Sequence, residues 1–215
     1  MPQDERKRQK ALMKKRSKQK AASQHRTLQQ QSRSPFVPMI IRQARAFPIL
    51  ECLISDNWQE KDGQGLIEVL VARKQPDGDI CFGTYLIDKF CLGLKNTFAR
   101  TNMPPARYRE EARHLFRELN PVDCPPELAH QMIYAAIEYA AQFGFTPEKD
   151  FAQSQYLLAP RGELPEPYEL EFGRNGKPFF IAGPYDNAKQ ILKQLEQTAG
   201  PGNFDFLTMV PGDMF

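Results

Sequence analysis

The sequence predicts an α+β protein: an antiparallel sheet built from two hairpins with flanking helices, preceded by a basic tail that is disordered or partly helical. Three observations carry this expectation. Residues 66–72 and 80–87 are runs rich in Val, Leu, Ile, Phe and Tyr, joined by Gln75-Pro76-Asp77-Gly78-Asp79. Such enrichment over that length favours strands, and the linker is a turn with a mechanism, because Pro presets φ at one corner and Gly accepts a positive φ. Residues 168–172 and 178–182 flank a second turn pair, Asn175-Gly176, the short-range signature of a hairpin. Elsewhere apolar residues recur at helical spacing.

Taken in order, residues 1–34 hold almost nothing with which to build a core. They carry eleven Lys or Arg against Asp4 and Glu5, a net +9, so the overall +3 hides a body of −6. A basic arm on an acidic body points to polyanion partners, since each Lys or Arg beside a phosphate backbone releases condensed counterions. The densest cations are Arg6, Lys7, Arg8, Lys10, Lys14, Lys15, Arg16, Lys18 and Lys20, the expected nucleic-acid-binding residues. A solubilising extension, or one folded back on the acidic body, is the plainer reading of the same composition.

Pro35 and Pro38 open the body, residues 35–215, expected as a single α+β unit. Its first part, 35–103, holds a short amphipathic helix over 39–46, a strand over 49–55, a polar connection with Trp58 at 56–63, the first hairpin, and then a helix over 88–100. Asp88 is the expected N-cap of that helix, with Phe90, Leu94 and Phe98 as its apolar face. Trp58, the only Trp, is either a lid over the core or a stacking platform for a base. Two helices follow within 104–144, at 106–119 and 125–143, the second starting with prolines and stopping at Gly144. The second places His130, Tyr134 and Glu138 in line, a row suited to proton transfer, to contributing metal ligands, or to solvated and interfacial contacts. Residues 168–202 form the second hairpin and a helix over 187–199 capped by Asp186. The last stretch, 203–215, either docks on the body or forms an exposed apolar hook.

Several function classes are disfavoured. No apolar run approaches the roughly 20 residues of a membrane-spanning helix, and no signal-peptide core stands at the N-terminus, so a soluble, cytoplasmic protein is expected, without a membrane partner. Cys52, Cys81, Cys91 and Cys124 show no C-x-x-C spacing and read as buried thiols of a reducing compartment. No metal site and no cofactor is expected, and residues 173–177 lack the spacing of a phosphate loop.

The order helix, strand, strand, strand, helix over 39–100 resembles the double-stranded-RNA-binding domain. That family grips phosphates through a basic helix start with a Lys-Lys-x-Ala-Lys type signature; the matching place, 89–99, offers Lys89 and Lys95, with Arg100 at its far end, and lacks the signature. The pair of stretches 69–74 through 91–95, and 172–178 through 183–184, is similar to that of bacterial proteins without an assigned function, and this resemblance implies no chemistry for any residue.

Three readings follow. In the first, the chain is a non-enzymatic accessory protein that binds RNA, DNA or the ribosome through its tail. In the second it is an adaptor whose acidic body or apolar C-terminal segment binds a protein partner. In the third it is a small enzyme with Cys91, near a helix start, as nucleophile and His130 as base. The first is the expected one.

Overall fold

The computed structural model describes residues 37–63, 65–117 and 119–207, all of which fall within one unit. The α+β expectation holds, with an antiparallel sheet and flanking helices. After α1 (Met39–Arg42) and a 3-10 turn (Ala44–Ala46), the chain enters β1 (Ile49–Ser55), as its apolar pattern predicts. A 3-10 helix at Asp56–Gln59 leads to β2 (Leu66–Lys74), β3 (Ile80–Asp88) and β4 (Gly93–Met103). Next come α2 (Pro105–Leu115), β5 (Pro121–Asp123) and α3 (Pro126–Ala141). The sheet order is β4-β3-β2-β1-β5, and each neighbouring pair is antiparallel.

The first hairpin forms in the expected place, with Leu66 opposite Asp88 and Lys74 opposite Ile80. Gly78 takes φ +94° at its turn, a conformation that costs glycine nothing. β2 is a near-continuous apolar run because both sheet faces are covered. On one face Ile54, Val69, Val71, Tyr85, Ile87 and Leu94 pack on Ala129, Met132, Ile133 and Ala136 of α3. On the other, Leu70, Ala72 and Phe82 pack on Tyr108 and Phe116. Each large side chain of this kind contributes roughly 1.5–3 kcal/mol by leaving water. Arg73, buried within this strand, satisfies its guanidinium on Leu157 O (2.7 Å) and Phe47 O (2.7 Å); without such partners a buried charge is strongly disfavoured.

The expected helix over 88–100 is a strand. Gly93 takes φ +66°, and a Cβ there would lie 2.6 Å from the carbonyl oxygen of Ala136, so the chain turns against α3 at that point. The register then slips between Leu86/Asn96 and Ile87/Leu94, where Lys95 is the extra residue of a bulge. Leu94 and Phe98 therefore enter clusters on opposite faces of the sheet, although their spacing of four mimics a helix. Asp88 does cap backbone N–H groups, accepting from Phe90 N (3.0 Å) and Cys91 N (3.1 Å), but the element it caps is the turn between β3 and β4. With a fourth strand in place of the second helix, the element order of the double-stranded-RNA-binding domain does not hold. β5 is a further addition: three exposed residues pairing with β1, with Pro121 tolerated because an edge strand has no partner for its missing N–H.

The second hairpin does not form. Asn175 (φ 52°) and Gly176 (φ +75°) make the reversing turn, closed by Arg174 N to Lys177 O (2.7 Å) and the reciprocal 3.1 Å bond, yet residues 168–172 take no strand pairing. Instead β6 (Phe179–Ile181) pairs in parallel with β7 (Asp205–Leu207). A short α4 (Phe151–Ser154) and a 3-10 turn (Gln155–Leu157) precede this region, and α5 (Ala188–Thr198) lies between the two strands in sequence. The cap of α5 is Asn187, which accepts from Gln190 N. Asp186, the expected cap, instead accepts from Gly183 N (2.8 Å) and pairs with Lys95 (2.7 Å). Phe204 packs with the cluster of Cys91, Phe180 and Leu195, so the start of the last stretch docks, whereas 208–215 lie outside the described residues.

Candidate functional site

The tail cations Arg6 to Lys20 lie outside the described residues. His130 and Cys91, the two expected from sequence for acid–base and nucleophilic roles, occupy different surroundings. His130 is buried on α3 and its Nε2 accepts from the backbone N of Ala159 (3.3 Å); burial, with Arg73 and Arg45 nearby, lowers its pKa to about 4. Tyr134 donates to Ala159 O (3.2 Å), and Glu138 pairs with Arg161. The row at i, i+4 and i+8 therefore clasps the chain at 159–161, an interface within the molecule.

Cys91 is fully buried with Phe180 and Leu195, and burial, reinforced by Asp88, raises its thiol pKa. No helix starts there, and a raised thiol pKa is the reverse of what a nucleophile requires. Trp58 is half-buried against the α3-side core and meets Tyr168 edge-on at 6.4 Å, which fits a lid over the core.

A cleft around Lys89 is lined by a set of charged and polar groups. This residue follows β3 directly, and its backbone joins two other segments through Lys89 N to Gly65 O (2.9 Å) and Gly173 N to Lys89 O (2.9 Å). Its ammonium donates to Trp58 O (3.0 Å) and Glu60 O (2.7 Å), carbonyls at the C-terminal end of the 3-10 helix. Two of its three donors are thus used on backbone, although the residue is only 5% exposed. Burial lowers its pKa, while Glu171 and Glu60 hold the charge in place.

Two cavities, of ≈ 570 Å³ and ≈ 240 Å³, share Lys61, Lys89 and Glu171 as walls. The larger adds Arg174, Asn175 and Gly176 of the Asn-Gly turn with Phe90 and Phe172; the smaller adds Trp58, Met132 and Leu170. At the rim Lys61 pairs with Glu171 (2.9 Å) and Arg174 with Asp62 (3.0 Å). Lys61, Glu171 and Asp62 are well exposed, so these pairs are worth little and exchange readily with an incoming charge. Gln131 of α3 pins the far wall, donating to Tyr168 O (2.6 Å) and accepting from Tyr168 N (3.0 Å).

Residues 58–62, 89–90 and 169–176 meet in this cleft, and no spacing rule connects them. The one sequence signal is Lys89 itself, a basic residue placed directly after a strand. A separate groove of ≈ 350 Å³ between Leu50, Ile80, Pro105 and Tyr108 is mainly apolar. Among the described residues no group of three or more His, Cys, Asp or Glu is placed to hold a metal ion, and no helix is long and apolar enough to cross a membrane. Comparison with family models, with curated proteins and with solved structures finds no match for this chain.

Proposed function

We propose that the protein is a nucleic-acid-binding accessory protein of the RNA or ribosome class, with affinity supplied by the basic segment that contains Arg6 to Lys20. The observation that carries this reading is the division of charge, +9 over residues 1–34 against −6 for the rest. A body of net negative charge repels phosphate at long range, so attraction to a polyanion has to originate in the tail. Eleven cations in 34 residues are enough for counterion release to dominate the binding free energy.

The test is retention on immobilised RNA. Full-length protein is compared with a full-length variant in which Arg6, Lys7, Arg8, Lys10, Lys14, Lys15, Arg16, Lys18 and Lys20 are replaced by Gln. The parent is expected to be retained at low salt and the variant to flow through; equal retention of both would remove the tail from the account.

A second reading, an adaptor for a protein partner, is favoured by β7, where Phe206 and Leu207 are 53% and 60% exposed beside the pairing with β6. Its partner binding would survive the nine tail substitutions and be lost on Phe206→Ser.

A further inference from the structure

We propose that the cleft around Lys89 binds one nucleotide of a single-stranded RNA, its phosphate held by Lys61, Lys89 and Arg174 and its base lodged against Trp58. The inference rests on the RNA reading given above and deepens it, because it assigns a contact to the acidic body that the tail cannot supply. A basic arm attracts any polyanion; a cleft that sets an aromatic beside Lys61 and Lys89, with Arg174 in the adjoining cavity, adds a surface for a base. Asp62, Glu169 and Glu171 among its walls are the carboxylates a phosphate must compete with.

Four features of the site support a nucleotide. First, Lys89 keeps one donor beyond those given to Trp58 O and Glu60 O, and the residue lines both cavities. Its charge is already desolvated and positioned, so an anion reaching it gains a charge-assisted bond without ordering a long side chain. Second, Lys61 and Arg174 flank it, and the acids that hold them, Glu171 and Asp62, are 67% and 85% exposed. A phosphate displaces these carboxylates into water at small cost.

Third, Arg174 is oriented by stacking over the Phe179 ring at 5.1 Å, and the Asn175-Gly176 turn beside it has no side chain at Gly176 to block approach. Fourth, the combined cavities suit a ligand of nucleotide size. The smaller one sets the apolar Trp58, Met132 and Leu170 beside the charged Lys61, Lys89, Glu169 and Glu171, a mixed lining whose apolar part meets the face of a base. Trp58 is held edge-on to Tyr168, itself pinned by Gln131, so the platform is preorganised.

The chain reports on this site itself, since Trp58 is its only Trp. The experiment titrates the full-length protein with a 5′-mononucleotide, with the matching nucleoside and with inorganic phosphate. Trp58 fluorescence is followed, and equilibrium dialysis is run in parallel so that a silent indole does not hide binding. A mononucleotide carries too few charges to engage the tail strongly, so tail affinity does not mask the result. Saturable mononucleotide binding is expected, tighter than that of nucleoside or phosphate alone.

Lys61→Gln with Arg174→Gln, at positions where the side chains reach solvent and folding is preserved, weakens it by about tenfold or more, from the loss of charge-assisted bonds. Asp62→Asn strengthens it by removing a competitor for Arg174. Retention of the parent on RNA through its tail is measured alongside. Absence of mononucleotide binding in dialysis, or binding unchanged in the Lys61/Arg174 double variant, overturns the cleft proposal even if RNA is retained. Saturable binding that depends on the two cations sustains the cleft even if tail-dependent retention fails, and so separates its fate from that of the tail. Phosphate binding as tightly as the nucleotide would mean an anion site with no base contact, and would also overturn the proposal.

Discussion

Single titratable residues set how this fold responds to pH, and they act in opposite directions. His130 has its pKa lowered to about 4 by burial. Between about pH 4 and 6.5 the unfolded chain binds a proton there that the folded chain refuses. His130 thus favours folding fully above about 6.5, and its contribution is lost as pH falls towards 4. Glu68, buried beside Thr84, has its pKa raised to about 7, chiefly by desolvation, and Asp88 is raised to about 6 by the same cause. For these two the folded chain keeps a proton that the unfolded chain has released, so they oppose folding increasingly as pH rises from the ordinary carboxyl range to about 6–7.

Glu68→Gln removes one of the opposing contributions. In urea unfolding the variant is expected to match the parent near pH 4 and to exceed it by about 2–3 kcal/mol at pH 8, an order-of-magnitude figure from the shift. A difference independent of pH would contradict the buried, protonated Glu68. Thiols give a second prediction at this scale. Cys52, Cys81 and Cys91 are buried, with the Cys52 and Cys81 pKa values pushed up to about 12 and about 11. Iodoacetamide should label all three more than about tenfold more slowly in the native protein than in urea; rapid native labelling of Cys91 would revive the nucleophile reading.

Elements are legible in this sequence where one face or one turn decides them, and illegible where tertiary packing does. β1, the first hairpin, α2 and α3 follow from apolar runs, from Pro76-Asp77-Gly78 and from helical stripes read directly. β4 reads as a helix because the bulge at Lys95 breaks the alternation and leaves Leu94 and Phe98 four apart while they serve opposite faces. The β6–β7 pair is invisible because parallel partners 26 positions apart, as Phe179 is from Asp205, leave no local signature, whereas the Asn175-Gly176 turn does and invites a hairpin.

Glycine substitutions separate the two kinds of constraint. Gly78→Ala meets open space and is expected to lose only backbone strain, about 1 kcal/mol. Gly93→Ala meets the same strain plus the Ala136 carbonyl and the Ala140 methyl, each 2.6 Å from the new Cβ, and should lose clearly more, about 2 kcal/mol or above. Equal losses in chemical denaturation would mean that β4 does not press against α3 as described.

At the scale of the whole molecule, charge is the property that composition exposes and packing does not change. The candidate site in the body is barely legible in the sequence, because Lys61, Lys89 and Arg174 become neighbours only when three distant segments meet; the tail is legible at once, because its signal is density rather than geometry. The two make different demands on a ligand. In the proposed function the tail answers to phosphate spacing along any chain, and in the further proposal the cleft takes a single unstacked nucleotide.

The central claim, that the tail supplies affinity for RNA by counterion release, is tested most directly by the salt dependence of RNA binding by the full-length protein, set beside the nine-glutamine variant. The parent is expected to show log affinity falling steeply and linearly with log salt. The slope magnitude should be roughly 0.7 for each cation engaged on single-stranded RNA, and most of that slope should be absent from the variant. A shallow slope in the parent, or a steep one that the variant retains, would contradict the account.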